Sequence, residues 1–165
     1  MEFQQLVRFR RSIRRFAPLP VERETLEKLV DAARYAPSAG NGQPWHFYAV
    51  QTAEVLSRLK QEVYPAEWFA AAPAVIVVTM DRERAERKYQ QRGLELYAFQ
   101  DTAAAMQNML LCAADLGLAA CWVGDVYKRQ PIIRVAIAAD RAVAVKTAPA
   151  SMPASASIPG LTARM

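Results

Sequence analysis

Ala36-Pro37-Ser38-Ala39-Gly40-Asn41-Gly42-Gln43-Pro44-Trp45 is the stretch on which the reading of this chain turns. It starts where a helical pattern stops and ends where a strand pattern begins. Pro37 disfavours helix at Ala36, Gly40 and Gly42 open backbone conformations closed to other residues, and Pro44 is expected to hold Gln43 extended. Between them lie Ser38, Asn41 and Gln43, three uncharged hydrogen-bonding side chains. Such a loop can come close to a planar polar ligand and offer it neutral donors and acceptors. Composition alone favours an ordinary helix-to-strand connection, so the residues on either side must decide.

Upstream, Leu26, Leu29, Val30 and Ala33 recur at i, i+3, i+4 and i+7. A helix from about Val21 to Tyr35 therefore buries one face and delivers the loop. Glu22, Glu24 and Glu27 sit early in it, where the helix dipole favours acids. Before it, Pro18-Leu19-Pro20 breaks the chain, and Phe3, Leu6 and Val7 predict a short amphipathic helix. That helix runs into Arg8, Arg10, Arg11, Arg14 and Arg15, interrupted by Ser12 and Ile13. Such a cluster suits a solvated or acid-paired surface. It also suits a clamp for phosphate and carbonyl oxygens, because a guanidinium presents a rigid fork of donors and a serine hydroxyl adds a short-range one.

Downstream, His46 to Val50 reads as a short strand, and Val55, Leu56, Leu59 and Val63 mark a helix. Ala74 to Met80 is an almost unbroken apolar, β-branched run of the kind found in a strand covered on both faces. Asp81 to Arg92 is highly charged, a surface helix or a loop. From about Glu95 to Leu116 the pattern is helical and apolar on most sides, which predicts a central helix, with a second subunit as one possible neighbour. Gly117 supplies its stop, and Leu118 to Gly124 reads as a third strand.

At 165 residues the chain is long enough to bury a core of its own. No apolar run reaches membrane-spanning length, and the opening residues do not read as a signal peptide. Cys112 and Cys121 sit in apolar segments without metal-ligand spacing and read as small core residues in a reducing, cytoplasmic setting. His46 is the sole histidine, so no metal site is expected. The basic pI of about 9.5 does not imply a nucleic-acid partner. Residues 1 to 126 are charge-neutral, with 15 basic and 15 acidic residues, and the excess of +5 lies entirely in the tail. That tail carries ten alanines and four prolines between residues 131 and 165. We expect 126–165 to be an atypical, partly disordered segment, a truncated, chimeric or frameshifted end.

Arg10-Arg11-Ser12-Ile13-Arg14-Arg15-Phe16, then a helix, then the loop at 36–45, resembles the opening of the nitroreductase family of flavin enzymes. Gln107-Asn108, Gly117-Leu118 and Cys121-Trp122-Val123-Gly124 resemble the later part of the same pattern. The resemblance runs from about residue 3 to residue 125 and marks 1–125 as an FMN-binding domain. It implies an α+β fold, a mixed sheet flanked by helices, and a homodimer holding FMN without covalent attachment. It further implies reduction by NADH or NADPH and reoxidation by a small electron-poor acceptor such as a nitroaromatic or quinone. In that pattern Arg10, Arg11 and Ser12 face the FMN phosphate and ribityl chain, and Arg14 approaches the pyrimidine edge. Pro37, Ser38 and Ala39 reach over the ring from the partner subunit, Asn41 and Gln43 shape the loop, and the backbone at Val123 and Gly124 approaches N5. The ring carries the hydride chemistry, so no catalytic side chain is required. Dehalogenation or flavin breakdown on the same fold, or a damaged non-catalytic member, are the alternatives.

Overall fold

The computed structural model describes residues 2–62 and 67–123. The expected tail at 126–165 and Gly124 lie outside the described residues. The order is α1 (Phe3–Phe9), α2 (Arg23–Arg34), a short 3-10 turn (Ala39–Asn41), β1 (Trp45–Val50), α3 (Ala53–Glu62), α4 (Glu67–Ala70), β2 (Val75–Met80), α5 (Arg82–Arg92), a π turn (Gly93–Tyr97) and α6 (Ala98–Asp115).

The helices form where apolar spacing demands it. In α2, Leu26, Leu29, Val30 and Ala33 are all buried, while Arg23–Glu27 and Glu24–Lys28 pair on its outer face. That buried stripe packs against α6, whose inner face includes Ala105, Met106, Met109 and Ala113. Asn108 adds a polar tie, its Nδ2 donating to the Ala32 carbonyl at 3.2 Å. β1 and β2 pair antiparallel with Trp45 opposite Met80 and Val50 opposite Val75. Val75 to Val78 are all buried, as an apolar strand run predicts, and Phe69 and Ile76 are among the large side chains wholly buried in the core.

α6 ends as its sequence dictates. Gly117 takes φ +75, and the amides of Gly117 and Leu118 donate to the carbonyls of Ala114 and Ala113 at 3.1 and 2.8 Å. This paired closure satisfies carbonyls that a helix end leaves open. The charged run after β2 is helix α5, capped by Asp81, whose Oδ1 accepts the Arg84 amide at 3.0 Å. It breaks at Gln90, which adopts φ 48, and the chain folds back so tightly that Gly93 lies on the Ala85 carbonyl.

Two expectations need correction. Leu118 to Gly124 is not a third strand within the described residues. Its ladder is one parallel bridge, Ala120 to Ser12, because its neighbour is the arginine segment and the two pair only at that residue. The sheet among the described residues is accordingly two antiparallel strands, and the parallel pairing is confined to that bridge. The helix expected from Glu95 begins as a π turn, and its apolar surface is largely consumed inside the chain by α2 and the sheet. Phe99, Leu96 and Leu116 are its exposed large apolar residues.

The two glycines predict different costs. A Cβ at Gly93 would lie 1.8 Å from the Ala85 carbonyl oxygen, whereas one at Gly117 meets nothing within 4 Å. Gly93→Ala should lower stability by about 1–3 kcal/mol through overpacking, and Gly117→Ala by about 1 kcal/mol from conformation alone. Urea unfolding of the two variants checks this order.

Candidate functional site

Beyond α1 the chain approaches the segment that follows α6. Ser12 bridges Ala120, and the Ile13 amide donates to the Ala120 carbonyl at 3.1 Å. Alternate residues of an extended segment share a side, which groups Arg10, Ser12 and Arg14. All three act on the same neighbour. Burial pushes the Cys121 thiol up, opposed by the charge of Arg14, a hydrogen bond with Ser12 and the charge of Arg10. Cys121 is buried. Arg11 turns away, its guanidinium donating to the carbonyls of Arg8 and of Arg10, the latter at 2.9 Å, at the end of α1. Arg14 is exposed and stands over the Trp68 ring, 5.6 Å from its centroid. Trp68 in turn meets Phe16 and Phe69 edge-on, so an apolar platform steadies the cation. Val123 is buried close to this bridge in sequence.

The loop at 36–45 is a closed unit. The Gln43 amide donates to Ser38 Oγ at 3.0 Å, and the Asn41 and Gly42 amides donate to the Ser38 and Ala39 carbonyls. Gly40, Asn41 and Gln43 all have positive φ, at 55, 55 and 47. Gln43 is therefore not held extended by Pro44. Its carbonyl accepts the Trp45 amide at 2.8 Å across the proline, and that tight turn overrides the pre-proline preference. Two non-glycine residues in the left-handed region cost of order 1–3 kcal/mol each, so something outside the loop must hold them.

The outside support comes from residues that loop composition does not reveal. Asp101, in the first turn of α6 and 6% exposed, accepts the Ala39 amide at 3.0 Å. Lys88 Nζ donates to the Gly40 carbonyl at 3.3 Å, and Arg84 donates to the Gln43 carbonyl at 3.4 Å. Asp81 gathers the far end: its amide donates to the Pro44 carbonyl at 3.1 Å, and its carboxylate meets His46 at 3.1 Å and Arg84 at 3.3 Å. The sole histidine thus has a structural partner. Sequence patterning misses this support, since Asp101 is one of several polar residues in α6 and its partner is 62 residues away.

The structure does not merge the two groups within one chain. The loop is tied to the first turn of α6, and the segment that meets Arg10, Ser12 and Arg14 leaves its last turn. Asp101 and Leu116 are separated by about 22 Å along the axis at ~1.5 Å per residue. Among the described residues no group of three His, Cys, Asp or Glu side chains is placed to hold a metal ion.

A helix-rich frame with a small antiparallel sheet, carrying an arginine–serine segment at one end of α6 and a glycine loop at the other, defines an α+β protein. The chain belongs to the Nitroreductase family, whose sequence profile matches residues 7–66 and 59–145. That match continues past residue 125, where the motifs quoted above end. A relative from Archaeoglobus fulgidus, provisionally named NADH dehydrogenase/NAD(P)H nitroreductase, is 36% identical over 78% of this chain and 70% of its own length. One of the same name from Methanothermobacter thermautotrophicus is 35% identical over 75% of this chain, which spans 61% of that relative. Among solved structures, a provisionally assigned nitroreductase from Desulfovibrio desulfuricans in complex with FMN aligns with a TM-score of 0.67. The identity is 33%, over 75% of this chain and 69% of that one. The donor set fits FMN: two guanidinium groups and a hydroxyl suit a phosphate, and a neutral loop suits an uncharged ring system.

The buried acid predicts a pH dependence. Burial raises the Asp101 carboxyl above the ordinary value of 3.8, against the pull of the Ala39 amide. Between that value and the raised one, the native state holds a proton that the unfolded chain has released. The contribution is therefore complete below the ordinary value and is lost as pH rises through the raised one. Melting temperatures of wild type minus Asp101→Asn should accordingly fall as the pH rises above the ordinary value of 3.8.

Proposed function

We propose that this chain is an FMN-dependent oxidoreductase that uses NADH or NADPH to reduce a small electron-poor acceptor such as a nitroaromatic or quinone. The observation that carries it is the placement of Arg10, Ser12 and Arg14 around the Ser12–Ala120 bridge, in a chain of the Nitroreductase family. An FMN-bound relative of the same fold supports the cofactor, and NAD(P)H nitroreductase relatives support the donor and acceptor. Bound FMN supplies the hydride chemistry, accepting from a nicotinamide and passing to the acceptor.

The residues of the chain position and stabilise. Arg10 and Ser12 hold the phosphate and ribityl oxygens, with the remaining Arg11 donors beside them. Arg14, steadied by Trp68, lies by the pyrimidine edge, where a cation offsets the negative charge gained on reduction. Pro37, Ser38 and Ala39 of a second subunit cover the ring, while Asn41 and Gln43 set the loop's shape. The backbone at Val123 would approach N5. The attachment of the two groups to opposite ends of α6 supports a homodimer. Exposed Leu96, Phe99 and Leu116 offer apolar surface for it. No helix among the described residues is long and apolar enough to cross a membrane. With both cysteines free, a cytoplasmic setting with no nucleic-acid partner completes the reading.

Purified protein mixed with FMN should retain a flavin absorbance through gel filtration and oxidise NADH or NADPH when a nitroaromatic is added. A colourless eluate overturns the proposal. Arg14→Ala should slow flavin reduction at least about tenfold in stopped flow. Glu27→Ala, which loses only a surface pair with Arg23, should leave the rate unchanged. Sedimentation at micromolar concentration should give a dimer, and a pure monomer would remove the shared site.

A further inference from the structure

The geometry points to Asp101 as the positioning residue of the 38–43 loop, acting through the Ala39 amide rather than by touching a ligand. A carboxylate buried in an apolar helix is expensive, and the usual reasons for keeping one are a charged partner or a metal ion. Neither accounts for Asp101. Its described hydrogen bond is to the Ala39 amide at 3.0 Å, 62 residues away in sequence, and no metal cluster exists among the described residues.

The target of that bond is informative. Ala39 opens the 3-10 turn, and the left-handed residues Gly40, Asn41 and Gln43 follow it at once. Fixing the first amide of the turn sets where that strained run begins. The other two outside contacts are of a different kind. Lys88 and Arg84 reach carbonyls at 3.3 and 3.4 Å from α5, with long side chains that are exposed or half-buried. They can let go and return at little cost. Asp101 is short, buried and on α6, the best-packed helix of the core. It is the fixed point, and the α5 contacts are trim.

This inference rests on the reading of the loop as part of an FMN site, and the test separates the two. Asp101→Leu removes the acceptor and substitutes an apolar side chain of the same branching but larger volume. Removing one partner leaves the Ala39 amide without its acceptor and lowers stability, so the variant should melt below wild type yet stay folded, which retained protection in β2 will show. It should bind FMN about ten- to a hundredfold more weakly, because a loop released from its anchor must be ordered again on binding. Asp101→Asn keeps an oxygen in place and should stay within about threefold of wild type. Lys88→Ala should do the same.

Hydrogen exchange on FMN-free protein gives a second readout. The Ala39 amide should exchange faster in Asp101→Leu, while the Val77 amide in β2 keeps its protection. Wild type that fails to bind FMN overturns the functional reading and leaves the anchor to be judged by exchange. Asp101→Leu that binds FMN like wild type, or that keeps Ala39 protected, overturns the anchor. So does Asp101→Asn that is as weak as Asp101→Leu, since charge and not the acceptor would then be responsible.

Discussion

Burial of α6 is the constraint on which the rest depends. Its inner face is closed by α2 and by the two strands, leaving Met106, Met109 and Ala113 almost without solvent. A helix so enclosed has no freedom to slide, so both of its ends become reference points. At the first turn Asp101 seizes the Ala39 amide. At the last turn Gly117 reverses the chain and sends Leu118 to Val123 back towards Ser12. The loop and the arginine segment are thus both indexed to one rigid rod, though neither touches the other through it.

That arrangement explains why polar residues of such different burial share one task. Arg10, Ser12 and Arg14 gather at a single bridge, where the local structure is made by the backbone pairing of Ser12 with Ala120. The loop does the reverse. Its side chain Ser38 and the outside groups Asp101, Lys88 and Arg84 are spent on the loop's own backbone. What it can offer outward is therefore shape, a few neutral groups and a close approach. Left-handed Asn41 and Gln43 are tolerable because the supports over-determine them.

Much of this was legible from the sequence, for reasons that can be named. Leu26, Leu29, Val30 and Ala33 announce their helix because the spacing is local, and Val75 to Val78 announce a covered strand by being apolar throughout. The order of the arginine and glycine motifs identified the family. Other features depend on partners far along the chain. Gln43 breaks the preference that Pro44 imposes because Ser38 Oγ and the Trp45 amide win locally. Leu118 to Val123 has strand composition but finds one bridging residue, and composition cannot count partners. Asp101 is not legible as a support from sequence, since nothing near it hints at Ala39, 62 residues away.

The distribution of charge follows from the same economy. The neutral body of the chain places its arginines where the backbone already fixes them, at the bridge and along α5, and pairs several others with acids one turn away. A cation left free of such a pair keeps its donors for a ligand. Among the described residues Arg14 is steadied by an aromatic face, a contact that holds it in place without cancelling its charge. A carboxylate partner would have fixed Arg14 equally well and neutralised the field it can apply. An aromatic face such as that of Trp68 is therefore the better support for a cation that is to keep its field.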